Sequence, residues 1–177
     1  GLVANLILPA STRIDAAELN ASPLLAAWTS PTAVSNVFAV SNVPAPLYSL
    51  NGGAVPNGVS ADAALGDAGV NALVDSMEAR GDFFYKTAAH PGGLFGSNDV
   101  VVVKVNNQWD GRNGTNSDVV KGVIYRLTRH PEGFTGAVLI AENSQGVNPD
   151  WYNQPSGNNS QFSNQSYLEV AQAFAGQ

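Results

Sequence analysis

The segment DVVVVKVNNQWDGRNGTNSDVVKGVIYRLTRHPEGFTGAVLIAE, residues 99–142, decides the fold. It begins with DVVVVKV, a continuous run of mainly β-branched side chains that is typical of a strand covered on both faces. It ends with GAVLIAE, which has the character of a second buried strand. Between the two runs, apolar side chains recur at helical spacing, namely Val120, Val123, Ile124 and Leu127. The segment therefore predicts a strand, a helix and a second strand.

The predicted fold class is α/β, with a parallel-sheet core and a central β-α-β unit. We place the strands at about 99–105 and 136–142 and the helix at about 117–129. Thr115 or Ser117 can cap the helix, and the His130-Pro131 step ends it. A helix on a parallel sheet is normally followed by another strand. Because the sequence stops after its last predicted helix, we expect the sheet to be incomplete on the C-terminal side.

Weaker patterns on both sides of this unit predict further elements. They are a short helix at 14–19, a strand at 33–43, a helix from the Asp67 cap to Gly81, and a last helix that begins with the capping box Ser166–Glu169. We divide the chain into an N-terminal extension, residues 1–31, and an α/β domain, residues 32–177.

The composition excludes several classes of function. Charged residues make up only 12 % of the chain and the net charge is −6, which disfavours binding to nucleic acid. No cysteine is present, so the chain cannot hold an iron–sulfur cluster or a disulfide. No apolar run approaches the roughly 20 residues of a membrane span. Low charge with many Asn and Ser residues favours a secreted, extracellular protein.

Polar side chains follow both predicted strands. Ligands in open α/β sheets bind beyond the carboxyl ends of the strands, and parallel strands end at the same edge. The start of the crossover helix adds free backbone N–H groups there. The predicted ligand-binding residues are Lys104, Asn106, Gln108, Trp109, Arg112, Thr115, Asn116, Asn143 and Gln145.

Several of these residues have both a functional and a plainer interpretation. Lys104 is either a base or anion partner, or a side chain that extends into solvent at the end of the strand. Trp109 either stacks on a sugar or base or packs on the helix, and Arg112 either clamps a carboxylate or is solvated. Three acids, Asp110, Asp118 and Glu142, either bind Ca²⁺ or Mg²⁺ through oxygen or serve in capping and loop hydrogen bonds.

Familiar catalytic motifs are missing from the sequence. The GGLFG segment at 92–96 precedes a strand, whereas a dinucleotide fingerprint follows one, so no nucleotide motif is present. The NSQG segment at 143–146 lacks the first glycine of a nucleophile elbow. Both histidines, His90 and His130, stand directly before proline and are predicted to be turn residues. The sequence thus leaves open whether the protein is an enzyme.

The segments NDVVVVKVNNQW and GTNSDVVKGVIYRLTRHPEGFTGAVLIAENSQG resemble the domain of unknown function 362 family, especially its exported bacterial members. The resemblance is best over residues 81–146. It implies an α/β domain, sometimes fused to iron–sulfur modules, without an assigned activity. Members often carry cysteines where this chain has Asn107 and Gly114, so a redox or soft-metal role does not carry over. Because family domains usually continue further, the resemblance implies a shortened member or a piece of a longer polypeptide.

Two functions follow as hypotheses. In the first, an exported α/β domain binds an anionic or polyhydroxylated small molecule or glycan at the carboxyl edge of the strands, with or without a divalent cation. Lys104 or Glu142 would be the acid or base if the site is catalytic. In the second, an extracellular structural subunit assembles into a homo-oligomer or filament. The apolar segment GLVANLILPA, residues 1–10, would then add as a strand to the sheet edge of a neighbour.

Overall fold

A computed structural model of the chain describes residues 37–44, 60–107, 114–143, 150–153 and 165–175. All helices and strands among them lie in one unit, Phe38–Gln177. In chain order these elements are α1 (Ala61–Leu65), α2 (Ala68–Glu78), β1 (Val100–Lys104), α3 (Ser117–Thr128), β2 (Ala137–Ala141), a 3₁₀ helix (Trp151–Asn153) and α4 (Tyr167–Ala173).

The two strands pair in parallel, as the sequence predicts. Their register runs from Val100 opposite Ala137 to Lys104 opposite Ala141, and α3 connects them. The described residues thus form a mixed α/β arrangement with a two-stranded parallel sheet. Because Lys104 lies opposite Ala141, both strands end at the same edge of the sheet. The residues that follow them therefore leave the sheet side by side.

The core lies on one face of this sheet. Val103 and Ile140 point to that face and pack against buried side chains of α3 and α4, among them Ile124 and Val170. A second group of buried side chains joins α2 and α3 and includes Val74, Phe84 and Leu127. The helices therefore shield one side of the sheet.

The other face of the sheet is apolar and exposed, which corrects the prediction of a strand covered on both faces. Val100 is 68 % exposed, Val102 is 58 % exposed and Leu139 on the neighbouring strand is 48 % exposed. A continuous β-branched run shows that both faces of a strand are apolar, but it does not show what covers each of them.

A glycine in the middle of α3 allows α2 to approach closely. A Cβ atom on Gly122 would lie 2.5 Å from the Asp67 Cβ and 3.0 Å from Val70 Cγ2. Glycine normally weakens a helix interior, so its position here is explained by packing rather than by helix propensity. The contact anchors the start of α2 against the middle of α3.

The helix ends agree only in part with the sequence patterns. Asp67 caps α2, and Ser166 with Glu169 forms the predicted capping box of α4. The cap of α3, however, is Asn116, whose Oδ1 accepts hydrogen bonds from the N–H groups of Asp118 and Val119. The prediction of Thr115 or Ser117 as the cap was therefore wrong. Asn, Ser and Thr are all favoured cap residues, so the sequence alone does not show which of three neighbouring residues caps the helix.

The strand predicted at 33–43 is not formed over its described part, 37–43. Asn42 has a φ of 56°, a left-handed conformation that asparagine tolerates but that interrupts an extended strand. Val37, Val40 and Val43 are all exposed, so this segment does not form a half-buried strand. The helix predicted at 14–19 lies outside the described residues. Within the described ranges, no helix has the length and apolar character needed to cross a membrane.

Candidate functional site

Polar groups meet where the two parallel strands end. The chain leaves β1 through Val105 and Asn107, and it leaves β2 through Glu142 and Asn143. The Val105 N–H donates to the Ala141 carbonyl at 3.0 Å, which continues the pairing of the strands by one residue. This brings four residues together, Lys104, Asn107, Glu142 and Asn143, which we call the strand-edge cluster.

The carboxylate of Glu142 is the centre of the cluster. The Lys104 ammonium lies 3.1 Å from both of its oxygens. The backbone N–H of Asn107 donates to Oε2 at 3.0 Å, and the N–H of Asn143 donates to Oε1 at 2.8 Å. The Glu142 side chain is only 4 % exposed, whereas the Lys104 side chain is 54 % exposed. The cluster therefore has a fixed, buried anion and a cation that reaches solvent.

These contacts set the protonation state of Glu142. Burial alone would raise the pKa of Glu142, but the hydrogen bonds from Asn143, Lys104 and Asn107, together with the charge of Lys104, outweigh it and lower the pKa. A carboxyl group with a lowered pKa is ionised at neutral pH and is a poor proton donor. The arrangement thus favours binding by a fixed charge over general acid catalysis by Glu142.

Asn107 is buried beneath this carboxylate and is only 1 % exposed. Its Nδ2 donates to the Trp151 carbonyl at 2.7 Å, which ties the end of β1 to the 3₁₀ helix. Its Oδ1 is also buried and has no hydrogen-bond partner among the described residues. A buried acceptor without a partner costs free energy, and it is a point at which a hydrogen-bond donor would be stabilising.

Thr115 and Asn106 fasten the chain between β1 and α3. The Thr115 N–H donates to the Asn106 carbonyl at 2.7 Å, and the Asn106 N–H donates to Thr115 Oγ1 at 2.9 Å. The Thr115 carbonyl accepts a hydrogen bond from the Tyr167 hydroxyl. Burial, and then the charge of Glu142, raise the pKa of Tyr167, so this hydroxyl remains a donor. Both predicted ligand residues therefore hold the backbone beside the strand-edge cluster.

Asp118, a predicted metal ligand, lies in a second polar group inside the protein. Its Oδ1 accepts a hydrogen bond from Gln165 Nε2 at 2.8 Å, and it interacts electrostatically with Lys121. The Lys121 ammonium donates to the Ala64 carbonyl at 3.1 Å. Ser117 exchanges hydrogen bonds with Gln165 as well. We call Ser117, Asp118, Lys121 and Gln165 the buried network. It joins α3 to α1 and to the start of α4.

The buried network places a charged lysine inside the core. Lys121 is 1 % exposed. Burial lowers the pKa of Lys121, and the charges of Asp118 and Asp67 oppose that shift. Lys121 and Gln165 were missed in the sequence. Lys121 lies outside the apolar stripe of Val120, Val123, Ile124 and Leu127, so the helical pattern gave no signal for its burial.

The remaining predicted site residues lie outside the described part of the chain. They are Gln108, Trp109, Asp110, Arg112 and Gln145. Among the residues that are described, no group of three or more His, Cys, Asp or Glu side chains could hold a metal ion. Asp118 and Glu142 have separate partners, Gln165 and Lys104. A Ca²⁺ or Mg²⁺ site thus remains a prediction.

Comparison with known proteins gives no relative. No protein-family model matches the chain, no curated protein matches its sequence, and no solved structure matches its fold.

Proposed function

We propose that the strand-edge cluster binds a small polar ligand that is anionic or polyhydroxylated. The observation that carries the proposal is the Lys104–Glu142 pair, flanked by Asn107 and Asn143 at the carboxyl ends of two parallel strands. This edge is where open α/β sheets bind their ligands. We also propose that the protein is exported and is of the domain of unknown function 362 type, as the sequence resemblance implies.

The charges and hydrogen bonds of the cluster support this class of ligand. The Lys104 side chain is about half exposed and can reach an anionic group while Glu142 holds its position. Asn143, which follows Glu142, is exposed at the same edge and carries an amide that can hydrogen-bond to ligand hydroxyls. A divalent cation version of the site is also proposed, in which the cation replaces the Lys104 ammonium at the Glu142 carboxylate.

Thermal melting tests the proposal. The probes are Ca²⁺, Mg²⁺, phosphate and a neutral hexose, each added to the full chain. Binding at 100 times the dissociation constant stabilises the folded state by about 2.7 kcal/mol, so a true ligand raises the Tm by several degrees. We expect the Lys104→Met variant to fold but to lose the shift with phosphate. The matched control is Lys86→Met, because Lys86 is an exposed lysine away from the cluster.

The outcomes separate the versions of the site. A shift with Ca²⁺ or Mg²⁺ that is lost in Glu142→Gln and enhanced in Lys104→Met supports the cation version. The proposal is contradicted if none of the four probes shifts the Tm, or if phosphate shifts the Tm of Lys104→Met as much as that of wild type. Failure of Lys104→Met to fold shows instead that the lysine is structural.

The exposed face of the sheet favours a second function, a self-assembling extracellular subunit. Val100, Val102 and Leu139 form an apolar strip on that face, and such surfaces are characteristic of interaction sites. Size-exclusion chromatography of the full chain over a range of concentrations tests this function. An apparent molecular mass that increases with protein concentration supports self-assembly. A monomer at every concentration contradicts it.

A further inference from the structure

A groove lies against β2 on the side away from β1. Its volume is 540 Å³, and its walls come from α3, α4 and the 3₁₀ helix. Gly136, Val138 and Ile140 line it, and these alternate residues cover the whole length of β2. No residue of β1 contributes to the lining. The groove therefore runs along the outer side of the second strand.

On that side the backbone edge of β2 has no partner strand among the described residues. Ala137 donates its N–H to the Asp99 carbonyl, and Ala141 accepts from the Val105 N–H, so odd-numbered residues of β2 face β1. In a strand, the backbone groups of successive residues point to opposite sides. The N–H and C=O groups of Val138 and Ile140 therefore point away from β1. Within the described residues the sheet has two strands, and these groups have no strand partner.

The lining of the groove selects an uncharged occupant. None of its side chains belongs to Asp, Glu, Lys, Arg or His, and five are aromatic: Phe134, Trp151, Tyr152, Tyr167 and Phe174. The hydroxyls of Tyr167 and Thr128 already donate to backbone carbonyls. A charged group in the groove would lose hydration without compensation. An extended apolar segment would pack its side chains against these walls. Its backbone N–H and C=O groups would pair with those of Val138 and Ile140.

We infer that β2 and its groove accept an extended apolar segment as an additional strand, and that the donor is residues 2–8, LVANLIL, of a second copy of this chain. The donor has no charged residue, which matches the uncharged walls, and Pro9 limits its length as a hydrogen-bonded strand. Strand addition of this kind takes its affinity from backbone hydrogen bonds and its specificity from side-chain pockets. The inference rests on the second function proposed above and names the surfaces that would carry it.

Complementation between two defective full-length chains tests the inference. Ile7→Pro prevents the donor from pairing, because proline lacks the N–H and fixes φ. Ala171→Trp fills the groove from its exposed rim on α4 without entering the core. We expect wild type to associate, each variant to be a monomer in analytical ultracentrifugation, and an equimolar mixture of the two to form a dimer. The matched control is Gln172→Trp, an exposed neighbour outside the groove, which should associate like wild type.

Other results overturn the inference. It fails if Ala171→Trp associates as wild type does, if the mixture stays monomeric, or if Val102→Lys on the opposite face abolishes association while Ala171→Trp does not. If wild type itself is a monomer, self-assembly fails as a function, and a labelled synthetic peptide of residues 1–10 then tests the acceptor alone. If the peptide binds wild type but not Ala171→Trp, the acceptor site is supported. If the peptide does not bind wild type, the acceptor site is contradicted.

Discussion

Glu142 shows how a single buried side chain can organise the end of two strands. Its carboxylate accepts hydrogen bonds from Lys104 and from the backbone of Asn107 and Asn143. Three donors fix one anion, so the ends of β1 and β2 are held together by one side chain. The charge of Glu142 is therefore part of the fold as well as part of the proposed site.

Replacement of Glu142 by Gln should destabilise the protein, because an amide places donor hydrogens against the donors that surround it. We expect a loss of about 1–3 kcal/mol in the free energy of unfolding at neutral pH. The folded pKa of Glu142 lies below its ordinary value of 4.5. Its stabilising contribution is therefore complete above 4.5 and is lost as the pH falls through the lower, folded value.

Urea unfolding of both proteins at several pH values measures this effect. The difference between wild type and Glu142→Gln should be constant down to about pH 5 and should narrow in more acidic solution. A difference that persists unchanged in acid would show that the effect arises from shape and not from charge.

The buried lysine leads to a second prediction. Lys121→Met removes the cation that interacts electrostatically with the buried Asp118 carboxylate, and loss of one charge of a buried pair costs about 3 kcal/mol. Asp118→Asn should be destabilising as well, because it leaves the Lys121 ammonium buried. We expect the double variant to be more stable than the sum of the two losses predicts, by at least about 1 kcal/mol. Chemical unfolding of the four proteins gives this coupling energy, and strictly additive losses would contradict the prediction.

For single residues, the sequence predicts which side chains lie close together better than it predicts what each side chain does. Lys104, Glu142 and Asn143 could be placed at one edge because parallel strands end together. The burial of Asn107 could not be predicted, because it depends on the carbonyl of Trp151, which lies 44 residues away in the chain. The burial of Lys121 depends on Ala64, 57 residues away. Such distant backbone partners leave no pattern in the local sequence.

The central strand–helix–strand unit was the most predictable part of the chain. Both strands and α3 lie within about two residues of their predicted bounds, because long apolar runs and a clear helical stripe determine them. The strand predicted at 33–43 is not formed over its described part, which contains a left-handed residue, Asn42, and the exposed Val37 and Val40. Alternation predicts a strand only where a neighbouring strand can pair with it, and sequence alone does not show the neighbour.

The contact between α2 and α3 leads to a third prediction. Gly122→Ala improves the helix propensity of α3, yet the new methyl group would meet Asp67 and Val70. We expect the steric effect to dominate and to lower the free energy of unfolding by about 1–3 kcal/mol. Thermal and urea unfolding measure the loss. The control is Gly92→Ala, where a Cβ atom meets nothing within 4 Å, and a stabilised Gly122→Ala protein would show that α2 does not pack as described.

The whole molecule combines a well-packed face with an exposed one. Helices α2, α3 and α4 cover the inner side of the sheet, whereas the outer side presents Val100, Val102 and Leu139 to solvent. Parallel sheets are normally covered on both faces. Among the described residues, the exposed face of the sheet and the outer edge of β2 are therefore the two surfaces that a binding partner would stabilise most. The polar strand-edge cluster lies apart from both, at the end of the strands.

The exposed face gives the last prediction. The double substitution Val102→Thr with Leu139→Thr keeps one residue β-branched, makes the other so, and replaces apolar surface by hydroxyl groups. Because both side chains are about half exposed, the free energy of unfolding should change by less than about 1 kcal/mol. Light scattering at high concentration should decrease if this face mediates association. Unchanged scattering together with intact strand complementation would assign association to the β2 groove alone, because the exposed face and the groove share no residue and can be altered independently.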